Sequence, residues 1–158
     1  MIARALILNP GFVVADEPVS MLDVSVRAGI LNLLRGIAQE LSLTAVYISH
    51  DLSLVRYLCE RTIVMYLGKI IEDGPTEDLI REPLHPYSKA LVTAVPTANP
   101  RQSHAPLPIG STPPVARRND IGCAFADRCP NAMKRCQIET PIMKPIGARR
   151  SVACHLLE

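Results

Sequence analysis

Tryptophan is absent, and two phenylalanines and four tyrosines are the only large aromatics in 158 residues. Any core must therefore be mainly aliphatic. No apolar run reaches the ~18–20 residues that a membrane-crossing helix needs. The start of the chain lacks the basic-then-apolar layout of a secretory leader, so the expectation is a cytosolic chain. Long heptads are missing, which argues against a coiled-coil machine, and there is no internal repeat. The formal charge of +2 is too small to imply nucleic acid by itself. Cysteine is scarce until late in the chain, where four of the five lie after residue 120.

What is present is unevenly distributed. Hydrophobic residues make up 48% of the chain, which excludes a disordered one. The length suits one domain, or a domain and a small appendage. Residues 1–100 carry 8 Lys/Arg and 11 Asp/Glu, a net of −3, whereas residues 101–158 carry 9 and 4, a net of +5. A basic tail suggests an anionic partner or an internal anion. Eleven of the 14 prolines lie from Pro83 onward.

The hydrophobic pattern predicts alternating helices and strands up to about residue 82. Residues 2–9 read as the end of a helix, closed by Pro10-Gly11. Residues 12–15 are a fully apolar strand of the kind buried on both faces in a parallel sheet. Asp23 can cap a helix whose Val26, Ile30, Leu33, Leu34, Ile37 and Leu41 form one apolar stripe. A strand "LTAVYIS" follows, ending at His50, and Asp51 can cap a helix to about Cys59. "TIVMYLGKIIEDG" reads as two strands joined by a tight turn at Leu67-Gly68-Lys69. Pro75 fits the first turn of a helix to about Arg81, and residues 87–95 fit another. The fold class expected is α/β with a largely parallel sheet. A long extended connection then leads to a segment, about 119–158, with weak periodicity and no core of its own without a cross-link.

In parallel sheets, ligands gather at the carboxyl ends of strands. Asp16, Glu17 and His50 all stand there. An apolar strand ending in Asp then Glu suits nucleotide hydrolysis: the first carboxylate can hold Mg²⁺ and the second can polarise the attacking water. His50 could bond a terminal phosphate. The plainer readings are two acids that happen to end a strand, a structural histidine, and an Asp23 that only caps its helix.

The segments "IARALILNP", "FVVADEPVSMLDVS", "VYISHDLSLVRYLCERTIVMYLGKIIEDG" and "PLHPYSKAL", in that order, resemble the ATP-binding subunits of ABC transporters. The "HPY" at His85–Tyr87 and the cysteine-bearing tail resemble, more narrowly, the oligopeptide, dipeptide or nickel importer branch. The resemblance implies a Walker B strand ending at Asp16, a catalytic Glu17, a D-loop from Ser20 to Asp23 at a subunit contact, and a switch histidine at His50. Asp16, Ser20 and Asp23 fall to the cofactor side of that site. It implies ATP and Mg²⁺ as cofactors. The partners implied are a second ATPase subunit, alike or paralogous, two transmembrane permease subunits and, indirectly, an extracytoplasmic solute-binding protein, with no nucleic acid. The place implied is the cytoplasmic face of the membrane. The sequence departs from the pattern in one large respect: it has no GxxxxGK followed by Ser or Thr, and no LSGGQ. The expectation is a C-terminal portion of such a subunit, inactive alone. It would comprise the end of the ATPase domain (1–82) and an irregular accessory region (83–158). The alternative is a non-enzymatic metal-binding or interaction remnant.

Cys123, Cys129, Cys136 and Cys154 have the spacing C-x5-C-x6-C-x17-C. Four soft ligands in a short, core-poor segment suit a metal centre. Zinc usually takes tighter C-x2–4-C knuckles, while a 4Fe–4S cluster also takes four cysteines. Such a cluster is anionic and would suit the surrounding Arg128, Lys134, Arg135, Arg149 and Arg150. The family resemblance points to the cluster as well. Zinc and unmetallated thiols or disulfides stay open. Cys59, outside the set, reads as a buried apolar residue.

Overall fold

The computed structural model describes residues 2–95, 109–110 and 121–157. Much of the extended connection lies outside the described residues. The chain divides into two compact units, residues 1–59 and residues 60–158.

The first unit holds helix α1 (Ile2–Leu6), strand β1 (Phe12–Asp16), helix α2 (Val24–Glu40), strand β2 (Thr44–Ile48) and helix α3 (Leu52–Leu58). Strands β1 and β2 pair in parallel, with Phe12 opposite Thr44 and Asp16 opposite Ile48. The carboxyl ends of both strands therefore lie side by side. Asp51 caps α3 as expected, its Oδ1 accepting from the backbone N–H groups of Ser53 and Leu54. Asp23 stands at the N-cap of α2 but makes no side-chain capping bond. Helices α2 and α3 meet where the Tyr57 hydroxyl bonds Asn32 Oδ1 and the Arg35 guanidinium lies 5.3 Å from the Tyr57 ring centre.

Two expectations need correction here. Strand β1 is not buried on both faces: Phe12 and Val14, with Val46 and Ile48 on the same side of β2, are about half exposed. A pair of parallel strands is too narrow to be covered on both sides. The stripe on α2 is likewise covered only in part, with Leu34 buried but Val26, Leu33 and Leu41 about half exposed.

The second unit holds β3 (Arg61–Tyr66), β4 (Lys69–Pro75), α4 (Thr76–Arg81), α5 (Pro86–Ala94), α6 (Lys134–Ile138), β5 (Lys144–Ile146) and β6 (Arg150–Val152). The expected hairpin is present. Leu67 and Gly68 both take positive φ, 45° and 77°, the conformation a two-residue turn between twisted strands needs. The four strands run in the order β3-β4-β6-β5, and every pairing is antiparallel. A largely parallel sheet is thus not what forms: among the described residues, β1–β2 is the parallel pair. The reason is local, since hairpin turns dictate antiparallel neighbours.

The tail is also less irregular than its sequence suggests. Val152 and Ser151 of β6 pair with Glu72 and Asp73 of β4, so the tail extends the sheet. Phe125, 1% exposed, joins Val64, Tyr66, Ile71 and Leu79 in the core of this unit. Burying one phenylalanine contributes roughly 2–3 kcal/mol, which helps explain how a segment with few apolar residues stays folded.

Candidate functional site

At the end of β1 the backbone leaves the strand through Glu17, which takes φ 45°. That left-handed conformation is costly for a residue with a side chain. The Glu17 N–H still donates to the Ile48 carbonyl at 2.9 Å, so the corner is tied to β2. His50 follows two residues beyond β2. Its Nδ1 lies 2.6 Å from Glu17 Oε1, and its backbone N–H donates to the same oxygen at 3.2 Å. The structure brings the predicted Glu17 and His50 together across the two strand ends. Asp16 ends β1 on its exposed face. Ser20 turns back, its hydroxyl donating to the Glu17 carbonyl at 3.0 Å. Asp23 lies beyond this turn, exposed at the head of α2. Arg27 braces the loop from α2, bonding the Leu22 carbonyl at 3.3 Å and standing 3.6 Å from Asp51. Glu17 and His50 are both accessible to solvent.

The four tail cysteines converge. Cys123, Cys129, Cys136 and Cys154 line one small pocket together with His85, Phe125 and His155. All four are unbridged thiols. Burial pushes the Cys123, Cys129 and Cys154 thiols up, and the charge of neighbouring thiols adds to that in each case. Backbone N–H groups oppose it: those of Phe125 and Ala126 for Cys123, of Asn131 for Cys129, and of Leu156 for Cys154. Cys136 Sγ accepts from the Met133 N–H at 3.5 Å. Each sulfur is thus met by main-chain donors, an arrangement that stabilises thiolates once a positive centre neutralises their mutual repulsion. Among the described residues, no three His, Cys, Asp or Glu side chains are arranged so as to hold a metal ion. A lone zinc draws its sulfurs to about 2.3 Å from one point. A multi-iron cluster instead takes its thiols around a larger body.

Cys59 is half-buried and burial raises its thiol, in keeping with an apolar role.

Sequence reasoning missed the clasp beside this pocket. Glu72, 0% exposed, accepts from the Leu84 N–H at 3.0 Å, the His85 N–H at 2.9 Å and Arg150 Nη2 at 2.9 Å. Arg150 also donates to the Glu82 carbonyl at 2.6 Å. The signal was there. Leu84 and His85 lie between Pro83 and Pro86, so their N–H groups fall in a stretch that neither helix nor strand satisfies, and they need an outside acceptor. The HPY turn also does more than open a helix. His85 and Tyr87 pack on Phe125 at ring-centre distances of 5.7 and 5.4 Å, and Tyr66 completes the group.

Residues 71–136, from the Glu72 strand through the third tail cysteine, match the family described as the oligopeptide/dipeptide transporter, C-terminal region. The chain is 45% identical over 155 residues to the probable peptide ABC transporter ATP-binding protein y4tS of Sinorhizobium fredii, covering 98% of this chain and 44% of that protein. It is 45% identical over 163 residues to the putative oligopeptide transport ATP-binding protein YkfD of Bacillus subtilis, covering 98% and 48%. It is 42% identical over 157 residues to the di/tripeptide transport ATP-binding protein DppF of Pseudomonas aeruginosa, covering 99% and 48%. Over nearly its whole length the chain is thus similar to the ATP-binding proteins of peptide ABC transporters, and residues 71–136 match the oligopeptide/dipeptide transporter C-terminal region, in line with the resemblance. It spans about half the length of the curated relatives it matches.

Proposed function

We propose that this chain is the part of a peptide-import ATPase that carries its water-activating base and its phosphate sensor. The observation that carries this is the Glu17–His50 contact at 2.6 Å across the ends of two parallel strands. Asp16 would hold the Mg²⁺ of bound ATP, Glu17 would orient and polarise the attacking water, and His50 would exchange Glu17 for the γ-phosphate. Ser20 and Asp23 form the turn that meets a second ATPase subunit, alike or paralogous. Two permease subunits and an extracytoplasmic solute-binding protein complete the importer, with this subunit on the cytoplasmic face. In that arrangement residues 1–82 belong to the ATPase domain and residues 83–158 to the accessory region.

The 158-residue chain contains no phosphate-cradling GxxxxGK sequence. Alone, it should release no phosphate from ATP. The test joins it to the upstream half of a relative that supplies the P-loop and signature, and measures Mg²⁺-dependent phosphate release. The fusion should turn over, and Glu17→Gln should lower the rate about 10²–10⁴-fold, the usual worth of a positioned general base. Turnover by the unfused chain, or a fusion indifferent to Glu17→Gln, would sink the assignment.

The tail supports a second reading, carried by main-chain donors meeting all four clustered sulfurs. Cys123, Cys129, Cys136 and Cys154 hold a 4Fe–4S cluster. When bound, it would cross-link segments far apart in sequence and add an electron-accepting centre. Iron and acid-labile sulfide in anaerobically prepared protein test this; zinc without sulfide, or neither, would refute it.

A further inference from the structure

Two of the four tail cysteines are held side by side by the main chain. The Cys123 backbone N–H donates to the Cys136 carbonyl at 2.7 Å. Where main-chain bonds join two residues of paired strands, their Cα atoms stand roughly 5.5 Å apart, and a disulfide spans about 4.4–6.8 Å. Two more observations tie the same stretches together. Gly122 takes φ 84°, and a Cβ on it would stand 2.7 Å from the Cys136 carbonyl oxygen, so the two backbones touch. The Thr140 hydroxyl donates to the Gly122 carbonyl at 3.1 Å. The main-chain bonds of Cys129 and Cys154 run instead to neighbours in sequence, Ala126, Ala132 and Leu157. Cys123 and Cys136 both line the small cysteine pocket, whose free volume of about 10 Å³ is at most that of one water. A sulfur–sulfur bond needs no more.

The two differ in access. Cys136 is buried, whereas Cys123 is half-buried and, alone among the tail cysteines, also lines a larger cavity of about 160 Å³. That cavity lies between the β3–β4 turn and the tail. Leu67, Ile70, Ile121 and Met143 line it and are all exposed, so it is open to small molecules.

We propose that Cys123 and Cys136 are a redox-sensitive pair, oxidised by a small-molecule disulfide to an intrachain bridge, with Cys123 reacting first and Cys136 resolving. The Cys123 sulfur, as thiolate, attacks one sulfur of the reagent. The reagent's S–S bond breaks, half of it leaves as a thiol, and the other half stays on Cys123 as a mixed disulfide. The Cys136 sulfur then attacks the Cys123 sulfur, the mixed bond breaks, and the second half leaves as a thiol. The two cysteines lose two protons and two electrons, and the reagent gains both. The inference concerns the metal-free chain and does not rest on the cluster reading; a bridged chain has two thiols left and cannot offer four. The bridge closes a 14-residue loop that contains Phe125, the aromatic anchor of the 60–158 unit. Oxidation would therefore tighten the attachment of the tail to its sheet.

The test incubates the metal-free 158-residue chain with oxidised glutathione, alkylates the remaining thiols and maps the peptides by mass. The expected product is one bridge, Cys123 to Cys136, with Cys129 and Cys154 alkylated. The unfolding constant in urea should fall on the order of 10²-fold for a loop of this length, and dithiothreitol should restore it. Cys136→Ser should stop at a glutathione adduct on Cys123. A bridge formed mainly between another pair overturns the proposal. So do four thiols still free at the end of the incubation, or a Cys136→Ser chain without the Cys123 adduct.

Discussion

Replacing Glu72 by alanine should destabilise the 60–158 unit by about 3–5 kcal/mol, the cost of breaking a buried ion pair from one side. The carboxylate is 0% exposed and accepts three hydrogen bonds, two from backbone N–H groups and one from Arg150. Removing it strands the Leu84 and His85 donors, at ~1 kcal/mol or more each. It also leaves the guanidinium of Arg150, whose side chain is 13% exposed, without its anion. The Glu82 carbonyl remains to that guanidinium at 2.6 Å, which keeps the total near the lower part of the range. Against the roughly 5–15 kcal/mol that holds a whole domain together, this is a large share. Glu72→Gln should cost less, because the amide oxygen still accepts from the turn. The assay is urea unfolding, followed by far-UV circular dichroism and by tyrosine fluorescence, to which Tyr66 and Tyr87 of this unit contribute and with which no tryptophan interferes. A double-mutant cycle of Glu72→Gln with Arg150→Met isolates the ion pair and should give a coupling of at least ~1 kcal/mol. A loss below ~1 kcal/mol for Glu72→Ala, or strict additivity in the cycle, would refute the claim that this carboxylate holds the turn to the sheet.

Three further outcomes follow from the same geometry. The metal-free chain should lose stability as pH falls from about 6.5 to about 4. In that window the unfolded His85 takes up a proton that the folded one, with its pKa lowered by burial, refuses; the loss should approach roughly 3 kcal/mol and shrink in His85→Asn, as read from unfolding at successive pH values. In the unloaded chain Cys123, Cys129 and Cys154 should be alkylated by iodoacetamide at pH 7.5 more slowly than an unstructured thiol, since burial raises all three; peptide mass mapping with time resolves them, and reaction at the free-thiol rate would contradict the buried pocket. Gly122→Ala should destabilise by about 1–3 kcal/mol, because φ is 84° and a Cβ would stand 2.7 Å from the Cys136 and Gln137 carbonyl oxygens; an unchanged melting temperature would show that the loop relaxes freely.

Local signals carried most of the first 95 residues. Periodicity and caps placed the helices after Asp23 and Asp51, and the Leu67-Gly68 turn announced its hairpin. The placement of Glu17 and His50 at adjacent strand ends also followed from the order of apolar run and polar stop. What stayed hidden depends on contacts between distant residues. Nothing near Arg150 says that it will meet Glu72, 78 positions earlier, and a three-residue strand such as β6 is too short to show a period. Phe125 could be recognised as an anchor only once its aromatic neighbours from β3 and the HPY turn were in place. The parallel sheet was overestimated because strand-helix alternation set the expectation, while the antiparallel addition of β6 and β5 to the foreseen β3–β4 hairpin had no signal in the sequence.

The left-handed corner at Glu17 bears on how two equal charges come to be unequal. Asp16 is the last rung of the β1–β2 ladder, and Glu17 is the first residue off it. The distinction between them is written in the main chain rather than in the chemistry of either acid. Exchanging the two would conserve charge and composition while putting the shorter side chain at the bend, where it would fall one methylene short of His50. Shifting the corner by one residue would do the same to every group beyond it. In this chain a dihedral angle serves as an address.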